Sequence, residues 1–393
     1  MSRVAYVCAD PGIPPDGSKG ASVHFRSLAA AFAQIGQELD VFVARDGSVD
    51  GFRPHRARTV PTPKGAGPLG ELLQVGHAET MLQALRAAGP HAAVYERLSL
   101  FGLAGLVHAR TLGVPYVVEV NAPLWREAAA FRGLSLQQTA RGVCLDVLQQ
   151  ADAVLAVSGP LADELVAAGV PAARVQVLGN GADLASFRNA PPAVKPKCLQ
   201  GRPTLLFLGS LKPWHGIPFL LRGFAALRAQ TPCGLWIVGD GPERAAIEVA
   251  QRAFPGDVVH EGAVAHDRVP SLLQAADAVV APYEASAPTY FSPLKVVETL
   301  AAGRPLLASA VPCVLDTLRG HTPIGVFVPD DVVDFVAAAR RVFAAGAAAA
   351  TAGIDPQRVA ELDWSHKATW IRTLWQTLAR RTPAQRAAEV AHG

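Results

Sequence analysis

Short apolar runs alternate with longer stretches whose apolar residues recur at helical spacing, and the alternation continues along the chain. Residues 4–9, 39–44, 92–97, 114–121 and 153–157 read as strands, and 175–183 closes this first series. The runs are apolar on both faces, the form of parallel strands covered by helices on both sides. Phe25, Leu28, Phe32 and Ile35 share one helical face, and 72–88, 100–112 and 136–150 read as further helices. A second series follows, with strands at 204–210, 235–239, 258–261, 278–283, 306–308 and 324–328 and helices at 217–228, 294–301, 335–345 and 367–379. Strand, helix and strand in repeated succession predict βαβ units with right-handed crossovers, and so an α/β fold.

At 393 residues the chain exceeds one ordinary core, so two domains are expected. Pro191, Pro192 and Pro196 lie with lysines in 189–202, a stretch without periodicity that reads as a linker. It divides a Rossmann-like domain over 1–188 from a second over 203–366, followed by a last helix and a loosely held tail over 367–393 that begins at Thr382. Half of the residues are hydrophobic and 18% are charged, the balance of a globular chain. A net charge of +3 without long single-sign runs argues against a nucleic-acid partner. The five cysteines are scattered without paired spacing, which suggests a reducing compartment and no structural zinc. No apolar run is long enough to span a bilayer and no signal peptide is visible, so a cytoplasmic protein is expected, with room for a peripheral contact at the inner face of the membrane.

The most informative chemistry lies in 278–309. An apolar strand ends at Pro282, a polar loop follows, and Pro293 opens a helix that Gly303 terminates. The first N–H groups of that helix, at Leu294, Lys295 and Val296, together with the Lys295 ammonium, make an anion site. Glu298 lies one turn further in, where a carboxylate accepts from neutral hydroxyls such as those of a ribose. Phosphate donors and a diol acceptor within one turn suggest a nucleoside diphosphate. The first loop, with Gly12, Gly17 and Lys19, approaches a P-loop, but its lysine stands in the wrong order and Pro14 and Pro15 lack N–H donors. A P-loop NTPase is therefore rejected. Glu96, Arg97, Glu119 and Asn121 fall at the carboxyl ends of strands, where open α/β sheets bind ligands. No Asp-x-Asp occurs, and the Glu-Leu-Asp triplets at 38–40 and 361–363 lack a partner cluster, so no metal is expected.

Tyr290-Phe291-Ser292-Pro293-Leu294-Lys295, then Glu298, Ala301, Gly303 and Pro305, resembles the donor-binding segment of retaining GT-B-fold glycosyltransferases of family 4. The resemblance covers nearly the whole chain. It implies two Rossmann-like domains facing across a cleft, with the last helix crossing back to the first domain. It implies transfer of a sugar from a UDP- or GDP-linked donor to a saccharide, lipid-linked or small-molecule acceptor, with retention; no cofactor is expected beside the nucleotide-sugar. A sugar-nucleotide epimerase and a non-catalytic nucleotide-sugar-binding protein are the alternatives. In this pattern Glu298 binds the ribose, and Tyr290 stands where the family carries a sugar-contacting glutamate. Asn121 stands where it carries a histidine, and Ser210 and His215 where it carries a phosphate-binding arginine and lysine; Lys212 restores the cation. Gly239 and Val264 belong to further donor loops. Gly17, Lys19, Gly20 and His24 belong to the first loop and the helix after it, and Glu96 and Arg97 to the acceptor side. Lys212, His215, Glu119, Asn121 and His24 are the candidates for catalysis.

Overall fold

The computed structural model describes residues 3–17 and 19–381; the tail expected from Thr382 lies outside them. The chain forms two compact units. Of the described residues, one holds those up to Gly179 together with those from Trp364 to Arg381, and the other holds Asn180–Asp363.

The first unit is built on a seven-stranded sheet in the order β3-β2-β1-β4-β5-β6-β7. The strands are β1 (Val4–Cys8), β2 (Leu39–Val43), β3 (Arg56–Thr59), β4 (Val94–Arg97), β5 (Tyr116–Val120), β6 (Ala153–Ala156) and β7 (Val175–Val177). All its ladders are parallel. β1, β2, β4, β5 and β6 are buried along their whole length, which accounts for their mainly apolar sequence; Asp40, Glu96, Arg97 and Glu119 are the charged exceptions. Helix Gly20–Gln34 covers one face, with Phe25, Leu28 and Phe32 buried, and helix Trp364–Ala379 packs beside it, Trp375 stacking on Phe32 at 5.1 Å.

The second unit has six parallel strands in the order β10-β9-β8-β11-β12-β13. These are β8 (Thr204–Leu208), β9 (Gly234–Val238), β10 (Val258–Glu261), β11 (Ala278–Ala281), β12 (Leu306–Ser309) and β13 (Val326–Phe327). Each sheet thus reverses its winding once, between β1 and β4 in the first unit and between β8 and β11 in the second. Loops leaving the two central strands diverge to opposite faces there and open a crevice at the carboxyl edge, the general ligand site of doubly wound sheets.

Ser158 accepts from Leu161 N and caps its helix, whereas the helix that begins at Val269 has Arg268 at its cap and no side-chain cap bond. The helix expected at 335–345 runs from Val332 to Ala350, started by the Asp331 side chain and broken at Gly346, whose φ of 66° no helix interior accommodates. The stretch at 189–202 is irregular, yet the boundary falls earlier, at Gly179. Helix Leu184–Asn189 belongs to the second unit because Leu184 and Phe187 enter its core and Gln274 Nε2 donates to Phe187 O at 2.8 Å.

Candidate active site

In the second unit three loops meet at the carboxyl edge, and glycines allow the meeting. A Cβ on Gly239 would lie 1.9 Å from Gly209 O, and one on Gly216 would lie 1.7 Å from Pro282 O. Both glycines have positive φ, so side chains are excluded twice over. The loop after β8 is thereby pressed against those after β9 and β11. Gly239 acts through this close approach; its N–H donates to Glu261 O at 3.0 Å and its carbonyl accepts from His260 Nε2 at 2.8 Å.

Helix Leu294–Ala301 begins at this junction with Pro293 at its cap. Val296 N already donates to Pro293 O at 2.9 Å, so of the three expected donors Leu294 and Lys295 remain in the first turn. Lys295 does more than lend its backbone. Its ammonium is buried without a hydrogen-bond acceptor, 4.0 Å from the centre of the Phe207 ring and 5.1 Å from that of Tyr283. Burial lowers its pKa to about 7 against the pull of Glu298. A Cβ on Gly209 would stand 3.6 Å from Nζ, so this cation lies beside the segment where Ser210 replaces the expected arginine. Lys212 instead lies over the Trp214 ring at 5.7 Å.

His215 corrects an expectation. Its Nδ1 is bonded to Ser210 O, and burial with the nearby Lys295 and Lys212 charges pushes its pKa down to about 3. It is a neutral imidazole with Nδ1–H donating and Nε2 left as an acceptor; it is not the cation that the position carries in the resemblance. Glu298 is buried, and His266 Nε2 stands 2.9 Å from its Oε1. His266 was missed: its only local signal is a histidine in the loop after β10, and a contact across 32 positions is invisible in sequence. Asn180, just before Gly181, reaches the segment that opens helix Leu294–Ala301. Its N–H donates to Ser292 Oγ at 3.1 Å and its Nδ2 to Ser292 O at 2.8 Å, fixing the entry to the helix. Phe291 packs on Tyr283 with ring centres 5.2 Å apart, Val264 lies half-buried against the core, and Tyr290 is half-buried in the same loop.

The first unit carries a separate constellation. Glu119 in β5 accepts from Tyr95 Oη at 2.7 Å, Arg97 Nη1 at 2.8 Å and Asn121 Nδ2, and His24 Nε2 sits 2.9 and 3.0 Å from its two oxygens. Burial opposes the charge, but His24, Arg97 and Tyr95 together hold the carboxyl well below the usual range. A carboxylate engaged by so many donors is held in its charged form and is a weak base. In this arrangement Glu119 fixes Arg97, Asn121 and His24, as a positioning residue does. The first loop is held the same way: Arg26, which sequence reading missed, donates to Pro15 O and Gly17 O at 2.7 Å each. Lys19 and Gly20 are exposed at the start of the following helix.

Glu96 does not join this group. Successive strand residues point to opposite faces, so Glu96 turns away from Arg97 and lies under the helix Ala104–Leu112, where a Cβ on Gly105 would meet its Oε2 at 1.9 Å. Tyr116 Oη donates to it at 2.7 Å. Its role toward an acceptor is thereby corrected. Burial raises its pKa to about 7, with Tyr116 opposing. The folded protein therefore holds this proton at pH values where the unfolded chain has lost it, and its stability falls as pH rises from about 4.5 to about 7. Glu96→Gln should remove that slope, so the variant gains on the wild type over this window by up to about 3 kcal/mol. Urea midpoints at pH 5 and 7.5 measure it; a difference that stays flat would show that Glu96 is ionised throughout.

Among the described residues no group of three or more His, Cys, Asp or Glu is placed to hold a metal ion, and no helix is long and apolar enough to cross a membrane.

Comparison with known proteins bears on both units. Residues 18–186 match the model of Glycosyltransferase Family 4, and residues 202–345 that of Glycosyl transferases group 1. A GDP-mannose-dependent alpha-mannosyltransferase of Mycobacterium tuberculosis (strain CDC 1551 / Oshkosh) is 29% identical over 303 residues, 73% of this chain and 74% of that protein. A 2-deoxystreptamine glucosyltransferase of Streptomyces kanamyceticus is 27% identical over 259 residues, 61% of this chain and 64% of that one. Among solved structures, sucrose-phosphate synthase from Thermosynechococcus elongatus superposes with a TM-score of 0.71 at 20% identity, covering 96% of this chain and 99% of its own. With two parallel-sheet α/β units and matches that run through both, the chain belongs to the group 1 glycosyltransferases and has the GT-B architecture.

Proposed function

We propose that this glycosyltransferase moves a hexosyl group from a UDP- or GDP-linked sugar to an acceptor hydroxyl, with retention of anomeric configuration and without a metal cofactor. The observation that carries the reading is the first turn and a half of helix Leu294–Ala301. There an unpartnered buried ammonium, two backbone donors and a buried carboxylate converge at the switch point of the second unit. Lys295 and the N–H groups of Leu294 and Lys295 take the diphosphate, with Lys212 from the neighbouring loop. Glu298 takes the ribose hydroxyls, for which His266 holds it in place. Neutral His215 offers Nε2 as an acceptor, suited to a sugar hydroxyl and unsuited to phosphate. The GDP-mannose dependence of the mycobacterial relative supports a nucleotide-sugar donor. Arg97, Asn121 and His24 in the first unit bind the acceptor, a saccharide, lipid-linked or small hydroxyl compound.

As the glycosidic bond breaks, positive charge grows at the anomeric carbon and negative charge on the leaving phosphate. Preorganised cations at that phosphate act on charge as it develops, where they accelerate most. With Glu119 engaged by four side chains and Glu96 sealed away, these two carboxylates are not free to act as base, which favours the route in which the departing phosphate takes the acceptor's proton. The test combines GDP-mannose and UDP-glucose with a panel of glycoside acceptors, with and without EDTA, read by proton NMR of the product. Retained configuration and turnover that persists in EDTA are expected. An inverted centre overturns retention, EDTA loss restored by Mg²⁺ overturns metal independence, and epimerised or merely bound donor overturns transfer.

A further inference from the structure

The opposite edge of the second unit's sheet holds a feature that the transfer reaction does not use. At the amino ends of β8, β11 and β12, a cavity of about 380 Å³ is lined by Lys195, Arg202, Asp277 and Arg304, and on its other side by Val342, Phe343 and Ala347 of the helix Val332–Ala350. Three cations face one carboxylate, an excess of two positive charges. Asp277 is itself engaged, by Lys195 Nζ at 2.5 Å and Thr204 N at 2.9 Å. Arg202 is shared with Asp257, which also binds Arg228 Nε at 2.8 Å, so the wider cluster of four cations and two carboxylates keeps the same excess. The Nε atoms of Arg202 and Arg304 are buried without an acceptor, although other nitrogens of both side chains donate to backbone carbonyls. Burial lowers the pKa of Arg304 against the pull of Asp277.

Buried guanidinium donors without acceptors are costly unless a ligand supplies oxygens, and guanidinium matches phosphate in geometry as well as charge. A net excess of two suits a dianion. The cavity falls within the range of small-molecule sites, and the Val342, Phe343 and Ala347 wall offers contact to a carbon framework beside the charged end. We propose that this cavity binds a small organic phosphate monoester, the phosphate on Arg202 and Arg304 and the organic body against Phe343. It is a second anion site, remote from the loops that meet Lys295, and it does not rest on the donor assignment.

Isothermal titration with glucose 6-phosphate, inorganic phosphate and glucose, on the full-length protein, tests it. The wild type should bind glucose 6-phosphate in one saturable step, inorganic phosphate about tenfold more weakly because the body adds contact, and glucose not at all. Ala347→Glu places a negative charge at the mouth from an exposed helical position and should abolish binding, as should Arg304→Gln. Lys295→Met should bind as the wild type does. Absence of binding to the wild type overturns the proposal, and so does binding that survives Ala347→Glu or disappears in Lys295→Met. Equal affinity for inorganic phosphate and the ester would remove the ester from it. Should Arg304→Gln fail to fold, the exposed Ala347→Glu decides alone.

Discussion

Lys295→Met is expected to make the protein more stable and nearly inactive. The two effects share one cause. The ammonium lies close to the Phe207 and Tyr283 rings, buried and without an acceptor. An unpaired buried charge is among the costliest features a fold carries, and an unbranched apolar chain of similar length removes it. A gain of about 1–3 kcal/mol in unfolding free energy is expected, the range found when buried polar groups lose their need for a partner. Activity should fall by about two orders of magnitude or more in kcat/KM, as when a preorganised donor to developing charge is removed. The pH dependence separates this account from simple repacking. With its folded pKa lowered to about 7 by burial, Lys295 binds fewer protons in the folded state than in the unfolded one above that pH. Wild-type stability should therefore gain from this group as pH rises from about 7 toward 10. The methionine variant should lack that gain, so its advantage shrinks over the same window. Unchanged stability together with full turnover would remove Lys295 from the donor site; lower stability would show that the ammonium has a partner in solution.

The elements that were legible from sequence are those whose signal is local. The short, mainly apolar runs of β1, β5 and β8, each followed by a helical pattern, read as buried parallel strands, and their succession pointed to two α/β domains. The pattern from Tyr290 to Pro305 located the helix that organises the second unit, because proline at its start and glycine past its end act on the adjacent backbone. What could not be read is how charges pair across the sheet. Glu119 and His24 are 95 positions apart, and Tyr95 and Arg97 reach the same carboxylate from another strand. A strand-end glutamate looks available until those donors are seen to fill it. Glu96 and Arg97 adjoin in sequence and part in space through strand alternation. His215 looked like a cation because its position carries one in the resemblance; burial beside two lysines makes it neutral. The prolines at 191–196 marked irregular chain, while the boundary depends on where Leu184 and Phe187 are buried, a property of the second unit's core.

Glu119→Gln should destabilise the first unit while leaving the chemistry of donor cleavage in place. The carboxylate is the common acceptor of His24, Tyr95, Arg97 and Asn121, and it is 3% exposed. Glutamine keeps the shape but supplies one acceptor oxygen and turns an NH₂ toward groups that themselves donate. Arg97 would be left a buried charge without its counter-ion. Removing one partner of a buried ion pair costs about 3–5 kcal/mol, and the conservative shape places this substitution toward the lower end. The sign of the pH effect follows from the lowered folded pKa. Glu119 contributes stability that is complete above the carboxylate's unfolded pKa and is lost as pH falls through the folded one. The wild type should accordingly lose its advantage over Glu119→Gln as pH drops below about 4. Urea unfolding at pH 7 and pH 3 measures both quantities, and turnover at saturating acceptor supplies the functional control. If Glu119 positions its neighbours, acceptor KM rises and kcat falls modestly, since Arg97 and His24 are displaced but the donor loops are intact. Unchanged stability with turnover abolished would instead return Glu119 to the reacting atoms, and with it the possibility that this chain uses a protein base.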